Sequence, residues 1–377
     1  MFKFMAGLAV GLMALMLAVT CSQTAGQTPA APAPAPAPEK KPVSARAAID
    51  RGLSYLRSTQ EADGSYQHDI GITGLVVKAM ADSPRKYREA DGPFISKAVD
   101  YLLANQKEDG GIRGEQLGSY TTAIAVMALK SLENPKYKDP IDRAVKYLKA
   151  QQLNAGNGYD PTKHYGFGGF GYGSSMRPDM SNTQMVMDAF QAAGLAKDDP
   201  AYKDVVVFLS RCQNNSETND QAFAGTDGGA VYSPVESKAG EYAKPDGGKG
   251  LRSYGSMTYA LLKTFIYANL SKDDPRVQAA LGWIRKHYTV DENPELGDAG
   301  LYYYYMTFAK SLSAYGEDAL VDDTGKSHDW RKDLTEKLVS LQRPDGSWVN
   351  KNAEWWENMP VLATSYAVLA LEDAEKK

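Results

Sequence analysis

From about residue 46 onward, the apolar positions alternate between two kinds of segment. In the first kind they form a stripe. Ile49, Leu53 and Leu56 stand at i, i+4 and i+7, one face of a 3.6-residue period, with Asp50, Arg51 and Ser54 between them. This spacing predicts an amphipathic helix. The second kind is apolar nearly all round: Ile72 to Met80 (ITGLVVKAM), Thr121 to Leu129 (TTAIAVMAL), Thr183 to Phe190 (TQMVMDAF), Thr258 to Phe265 (TYALLKTF) and Thr364 to Leu371 (TSYAVLAL). A helix without a polar face is buried on all sides. The chain is therefore expected to pair outer amphipathic helices with inner buried ones. Asp-Gly pairs such as Asp63-Gly64 stop the outer helices, because glycine accepts the left-handed turn that ends a helix.

The pairing recurs. Leu53, Tyr55 and Leu56 are followed by Gln60 and Gly64; Tyr101 and Leu102 by Gln106 and Gly110; Tyr147 and Leu148 by Gln151 and Gln152. Phe208 and Leu209 precede Gln213 and Asp227-Gly228-Gly229. Trp283 and Ile284 precede Gly297 without a Gln. Leu338 precedes Gln342 and Asp345-Gly346-Ser347-Trp348. Internal similarity of this kind marks a repeat architecture. Open arrays need polar end caps, yet the last unit here is the most regular one. A closed ring of six helical hairpins is expected, with every inner helix buried.

The resemblance to a known family rests on Arg51-Gly52, Tyr55-Leu56, Gln60, Gly64 and Tyr66, and on Gln342, Gly346 and Trp348. These residues look like the QW motif of the prenyltransferase / squalene cyclase repeat family, and the chain resembles a divergent exported bacterial member. The resemblance implies an all-α fold, an (α/α)6 toroid of six hairpins. It also implies chemistry that the residues must then supply. Terpene cyclases of the second class use an Asp-x-Asp-Asp-Thr acid. The comparable segment here, Asp179-Met180-Ser181-Asn182-Thr183, has Ser181 and Asn182 where two acids would stand. Neither is an acid strong enough to protonate an alkene; one of them caps a helix instead. Protein prenyltransferases hold zinc with Asp, Cys and His. No Asp-x-Cys pair occurs, and His68, His164, His287 and His328 are scattered. Neither a metal nor a cofactor is expected. The catalytic residues are left unassigned, with Asp179, Asp69 and His68 as candidates.

The residues around the inner-helix starts are rich in aromatic rings. Tyr120, Phe170, Tyr172, Asn182, Tyr254, Tyr302, Tyr304, Trp355 and Trp356 are the candidate ligand-cavity residues. Rings from several repeats at one mouth would make a concave, mostly apolar site with polar tips; the alternative is that they plug the ring as core. Gly166 to Gly173 lacks the strand and the Gly-Lys-Ser of a phosphate loop and is read as a rim loop. Residues 214–253 and 316–329 are further rim-loop or lid candidates.

Charge and the N-terminus narrow the partners. A net charge of -4 and a pI near 5.7 offer no basic footprint, so nucleic acid is not expected. Lys3 and the apolar run Leu8 to Val19 read as an export signal, too short to span a bilayer comfortably. Leu17 to Cys21 resembles a bacterial lipoprotein signal with Cys21 lipidated, although Thr20 departs from it; an ordinary cleaved signal is the alternative. The Pro-Ala run from Ala30 to Pro38 favours extended, semi-rigid geometry. The expected organisation is a signal over 1–21, a disordered linker over 22–45 and the toroid over 46–377. Cys212 is read as a buried structural thiol. The expected function is an exported envelope or periplasmic protein that binds an elongated apolar or isoprenoid ligand, with a lipid or a saccharide as small-molecule partner. It would meet a membrane only through its N-terminal lipid anchor. A non-catalytic protein-binding module and a glycan-active α/α barrel enzyme are the alternatives.

Overall fold

The computed structural model describes residues 44–173 and 177–376. The export signal, Cys21 and nearly all of the linker lie outside the described residues. The described chain carries twelve α-helices in six consecutive pairs. The outer members are α1 (Ala45–Ser58), α3 (Pro93–Ala104), α5 (Lys138–Ala150), α7 (Pro200–Arg211), α9 (Pro275–Lys286) and α11 (Trp330–Leu341). The inner members are α2 (Ile70–Asp82), α4 (Gly118–Ser131), α6 (Met180–Ala193), α8 (Gly255–Tyr267), α10 (Leu301–Tyr315) and α12 (Pro360–Glu375). Each inner helix packs on the next, and α12 returns to pack on α2, so the ring is closed. The fold is the all-α toroid that the repeat implied.

Burial follows the two hydropathy patterns. On α1 only one stripe is buried, including Ile49, Leu53 and Leu56. On α2 almost every residue is buried. Burying each Leu- or Ile-sized side chain contributes ~1.5–3 kcal/mol. Gly52 lets α1 approach α12 closely, since a Cβ there would lie 2.8 Å from Val368 Cγ2.

One local device makes five of the six joints between successive hairpins. The Gln side-chain amide after an outer helix donates to the turn glycine's carbonyl and to a carbonyl in the first turn of the following outer helix. Gln60 reaches Gly64 and Pro93, both at 3.0 Å. Gln106 reaches Gly110 and Pro140, Gln152 reaches Gly168 and Ala201, and Gln213 reaches Gly228 and Arg276. Gln342 reaches Gly346 and Ala48, both at 2.8 Å. The turn glycines have positive φ, from 83° to 91°, and each presses on a carbonyl of the next outer helix. Two residues after the glycine, a backbone N–H donates to an inner-helix threonine hydroxyl: Tyr66 to Thr73, Ile112 to Thr122, Phe170 to Thr183, Ala230 to Thr258, Trp348 to Thr364.

One sequence reading changes here, and one gap in the repeat is filled. The glycine-rich stretch 166–173 is more than a rim loop: Gly168 is the turn glycine of the third unit, and Phe170 is fully buried against Phe190. In the fifth unit Tyr288 occupies the glutamine position, and its hydroxyl donates to Asp333 Oδ2 on α11 at 2.9 Å. A side chain there replaces the backbone acceptor.

Short strands decorate the loops. β1 (Glu241–Ala243) pairs antiparallel with β2 (Lys249–Leu251), and β3 (Leu320–Val321) with β4 (Ser327–His328). No described helix is long and apolar enough to cross a membrane.

Candidate functional site

The N-terminal ends of all six inner helices surround a cavity of about 580 Å³. Ile72 and Leu75 from α2, Ile124 from α4, Met257 from α8 and Leu362 from α12 give it an apolar wall. Tyr120, Tyr254, Tyr303 and Tyr366 add rings from four inner-helix starts or bodies, and Tyr172 and Tyr232 add rings from loops. Trp355 and Trp356 stand at the rim, 39% and 63% exposed. Both have left-handed backbones, φ 52° and 61°, a conformation that costs a non-glycine residue ~1–2 kcal/mol.

Of the candidate cavity residues, Tyr120, Tyr172, Tyr254, Trp355 and Trp356 lie on this wall. Phe170, Asn182, Tyr302 and Tyr304 do not. Phe170 is core, and Asn182 is fully buried beside Asp179. The tyrosine run on α10 divides by helical period. Tyr303 faces the ring axis, whereas Tyr304 and Tyr305 donate outward to the carbonyls of Thr289 and Val290. Ser181, Tyr366 and Lys238 were not anticipated as cavity residues, and Tyr303 was legible only as a member of the tyrosine run. The threonine at five of the inner-helix starts was the available signal for two of the helices concerned, since Ser181 and Tyr366 each lie two residues from one; α10 has no such threonine to mark Tyr303.

The three catalytic candidates are not brought together. His68 points outward, 69% exposed at its side chain, and pairs with Asp63. Asp69 lines the cavity but caps α2, accepting from the Ile72 amide at 2.7 Å. Asp179 caps α6, accepting from the Asn182 backbone at 2.8 Å and from its side-chain amide at 2.8 Å. Burial pushes the Asp179 carboxyl up to about 6, against the bonds from Asn182 and Tyr232. Glu357 also lines the cavity, and it accepts from the Tyr302 and Tyr303 amides at the start of α10. Burial raises its carboxyl as well. The wall carboxylates thus face helix amides, which satisfies otherwise orphaned donors.

The insertion over 214–253 supplies Tyr232 and Lys238, whose ammonium lies 4.5 Å over the Tyr232 ring. Residues 316–329 follow the C-terminal end of α10, away from this mouth, and do not line it. Cys212 is buried, and burial drives its thiol well above the usual range. No group of three described His, Cys, Asp or Glu side chains could hold a metal.

Below the tyrosines the ring axis turns polar. The Ser181 hydroxyl lies 3.0 Å from that of Tyr303. Gln184 Nε2 donates to the same Tyr303 hydroxyl at 3.0 Å, and Gln184 Oε1 accepts from Lys263. Lys263 and Lys310 both donate to Asp188 Oδ2, at 2.9 and 2.6 Å. Burial lowers the Lys263 ammonium to about 8, opposed by Asp188. The two ammonium groups hold the Asp188 carboxyl below its ordinary range despite burial. Lys310 borders a second cavity of about 420 Å³ among the inner-helix C-termini.

Comparison with known proteins places this ring. Residues 70–232 match the family described as squalene-hopene cyclase C-terminal domain. Lanosterol synthase of Aspergillus fumigatus is 27% identical over 125 residues, covering 28% of this chain and 16% of that protein. Human lanosterol synthase is 27% identical over 138 residues, covering 32% and 19%. The matched region spans less than a fifth of either synthase. Among solved structures, the type II terpene cyclase MstE from Scytonema superposes at TM-score 0.54 and 12% identity over 88% of this chain and 97% of that one. Another structure shows a variant of it in complex with geranylgeranyl dihydroxybenzoate, its substrate, at TM-score 0.52 and 11% identity over 88% and 97%. D-mannose isomerase superposes at TM-score 0.56 and 12% identity over 88% and 96%. These structural likenesses show the α/α toroid alone.

Proposed function

We propose, for a chain of the squalene cyclase-like repeat family, that the axial cavity binds an elongated, apolar ligand of isoprenoid type. One observation carries this reading: the wall is aliphatic and tyrosine-rich, and its carboxylates cap helices. A cavity of about 580 Å³ falls within the ~300–1,000 Å³ range of small-molecule sites. Rings at its mouth suit the faces of isoprene units. The isoprenoid substrate of the Scytonema cyclase supports the same chemical class, by likeness of fold only.

Binding is the function proposed, without a cyclisation step. Ser181 stands on the wall where the family resemblance implies an acid, and a serine hydroxyl cannot protonate an alkene. Glycan hydrolysis would call for two free carboxyls facing one another. Asp69 and Glu357 instead accept from helix amides. The export signal and lipidated Cys21 read in the sequence would place the ring on a membrane-anchored tether, where apolar ligands are available.

Native mass spectrometry of protein purified from its own cell envelope, followed by lipid extraction, tests the proposal. An apolar, isoprenoid-class molecule is expected to co-purify in stoichiometric amount. Repeated absence of any such ligand, together with thermal stabilisation by saccharides, would overturn it in favour of a glycan-binding site.

A further inference from the structure

The polar column below the cavity has a direction. An ammonium group only donates hydrogen bonds. Lys263 therefore fixes the orientation of Gln184: its Oε1 must face Lys263, because the flipped amide would set donor against donor. Gln184 Nε2 then faces Tyr303 and donates to its oxygen. With that oxygen already accepting, the orientation we infer has the Tyr303 hydroxyl donating to Ser181 Oγ, 3.0 Å away. Ser181 is left with its own proton to give. Its hydroxyl lies on the cavity wall, beside the hydroxyl of Tyr120, which in turn neighbours that of Tyr366.

Gln184 and Lys263 are at most 1% exposed, so water cannot re-orient the column from the side. Asp188 holds the Lys263 ammonium from below. An amide does not pass protons along as hydroxyls do, so the column orients the hydroxyls without conducting through them.

We propose that the floor of the cavity, at Ser181 with Tyr120 and Tyr366 beside it, presents a hydrogen-bond donor that selects apolar ligands whose buried end carries an acceptor oxygen of carbonyl or ether type. This rests on the apolar-cavity reading and adds the head group. A hydrocarbon would leave the buried donor unpaired. A head group that only donates would meet donor against donor.

Reversing the column tests it. In Gln184→Glu the carboxylate accepts from both Lys263 and Tyr303. Tyr303 then accepts from Ser181, whose lone pair is turned to the cavity. The probes are 2-pentadecanone, which only accepts, and 2-pentadecanol, which accepts and donates, titrated by tryptophan fluorescence. The unchanged protein is expected to bind both within about threefold. Gln184→Glu is expected to weaken the ketone about tenfold relative to the alcohol, the scale of one hydrogen bond. Ser181→Ala, a smaller change that decides the matter if Gln184→Glu does not fold, is expected to weaken the ketone severalfold. With both probes binding, a ketone-to-alcohol ratio unmoved in Gln184→Glu and a ketone affinity unmoved in Ser181→Ala would overturn the head-group proposal alone. Failure of the folded, unchanged protein to bind either probe would overturn the apolar-cavity reading beneath it.

Discussion

Gln342 donates its side-chain amide to the backbone carbonyl of Ala48 at 2.8 Å, across 294 residues of chain. The bond is the same one that Gln60 makes to Pro93 between neighbouring hairpins, used here to join the last hairpin to the first. The Gln342 carbonyl also accepts from Arg51. Ring closure thus uses the repeat's own joint, with no special clasp.

Gln152→Ala is expected to destabilise the protein more than Gln342→Ala. Gln152 is 1% exposed, and its removal strips the Gly168 carbonyl of its partner inside the fold and the first-turn Ala201 carbonyl of its second one. An unpaired buried carbonyl costs ~1–3 kcal/mol. Gln342 is only half-buried, so water can replace part of what is lost. Urea denaturation of both variants checks the order.

Glycine substitutions should divide by their surroundings. Gly168 has φ 87°, and a Cβ there would lie 1.9 Å from the Asp204 carbonyl. Gly194 has φ 77°, with nothing within 4 Å. Gly168→Ala is expected to cost ~2–5 kcal/mol, combining left-handed strain with a displaced helix. Gly194→Ala should cost only ~1–2 kcal/mol, the strain alone. Thermal melts of the two side by side separate the terms.

Asp179 should make folding stability depend on pH. Its folded pKa, about 6, lies above the ordinary carboxylate value. The folded state therefore holds the proton more tightly. The stabilisation is complete below pH ~4 and is lost as pH rises through 6. The displacement corresponds to ~3 kcal/mol. Asp179→Asn is expected to remove this part of the slope between pH 4 and 6, read from urea midpoints against the unchanged protein. An equal slope in both proteins would count against the burial effect.

Lys263→Met should cost ~3 kcal/mol or more, because it leaves Asp188 buried with Lys310 as its remaining ammonium partner. Lys272→Met should be nearly neutral in the same measurement, since its pair with Glu317 is about half exposed on both sides.

Trp355 and Trp356 should report ligand. An apolar molecule seated under their rings is expected to blue-shift the tryptophan emission. The double variant Trp355→Phe, Trp356→Phe should lose that shift while its melting temperature moves little, since both rings are exposed. A full shift in the double variant would place the ligand elsewhere.

Three of the joints could be read from the chain because their Gln and turn glycine lie close in sequence. Gln60 and Gly64, Gln106 and Gly110, and Gln342 and Gly346 are four residues apart, whereas insertions separate Gln152 from Gly168 and Gln213 from Gly228. Tyr288 escaped because it does the same work with a different chemical group. The α10 tyrosines were legible as aromatic, but which one faces the axis depends on the helix's rotation in the ring. That selected Tyr303 over Tyr302 and Tyr304.

Sequence alone determined the two classes of helix, the six-fold repeat and the closure, since hydropathy period and a short-range Gln–Gly motif encode them directly. Tertiary structure decided the site. Tyr303 meets Gln184 across 119 residues, and Lys263 meets Asp188 across 75. No local pattern carries such a pairing: only when the inner helices stand around one axis do these side chains share a buried, low-dielectric space in which each must find its partner.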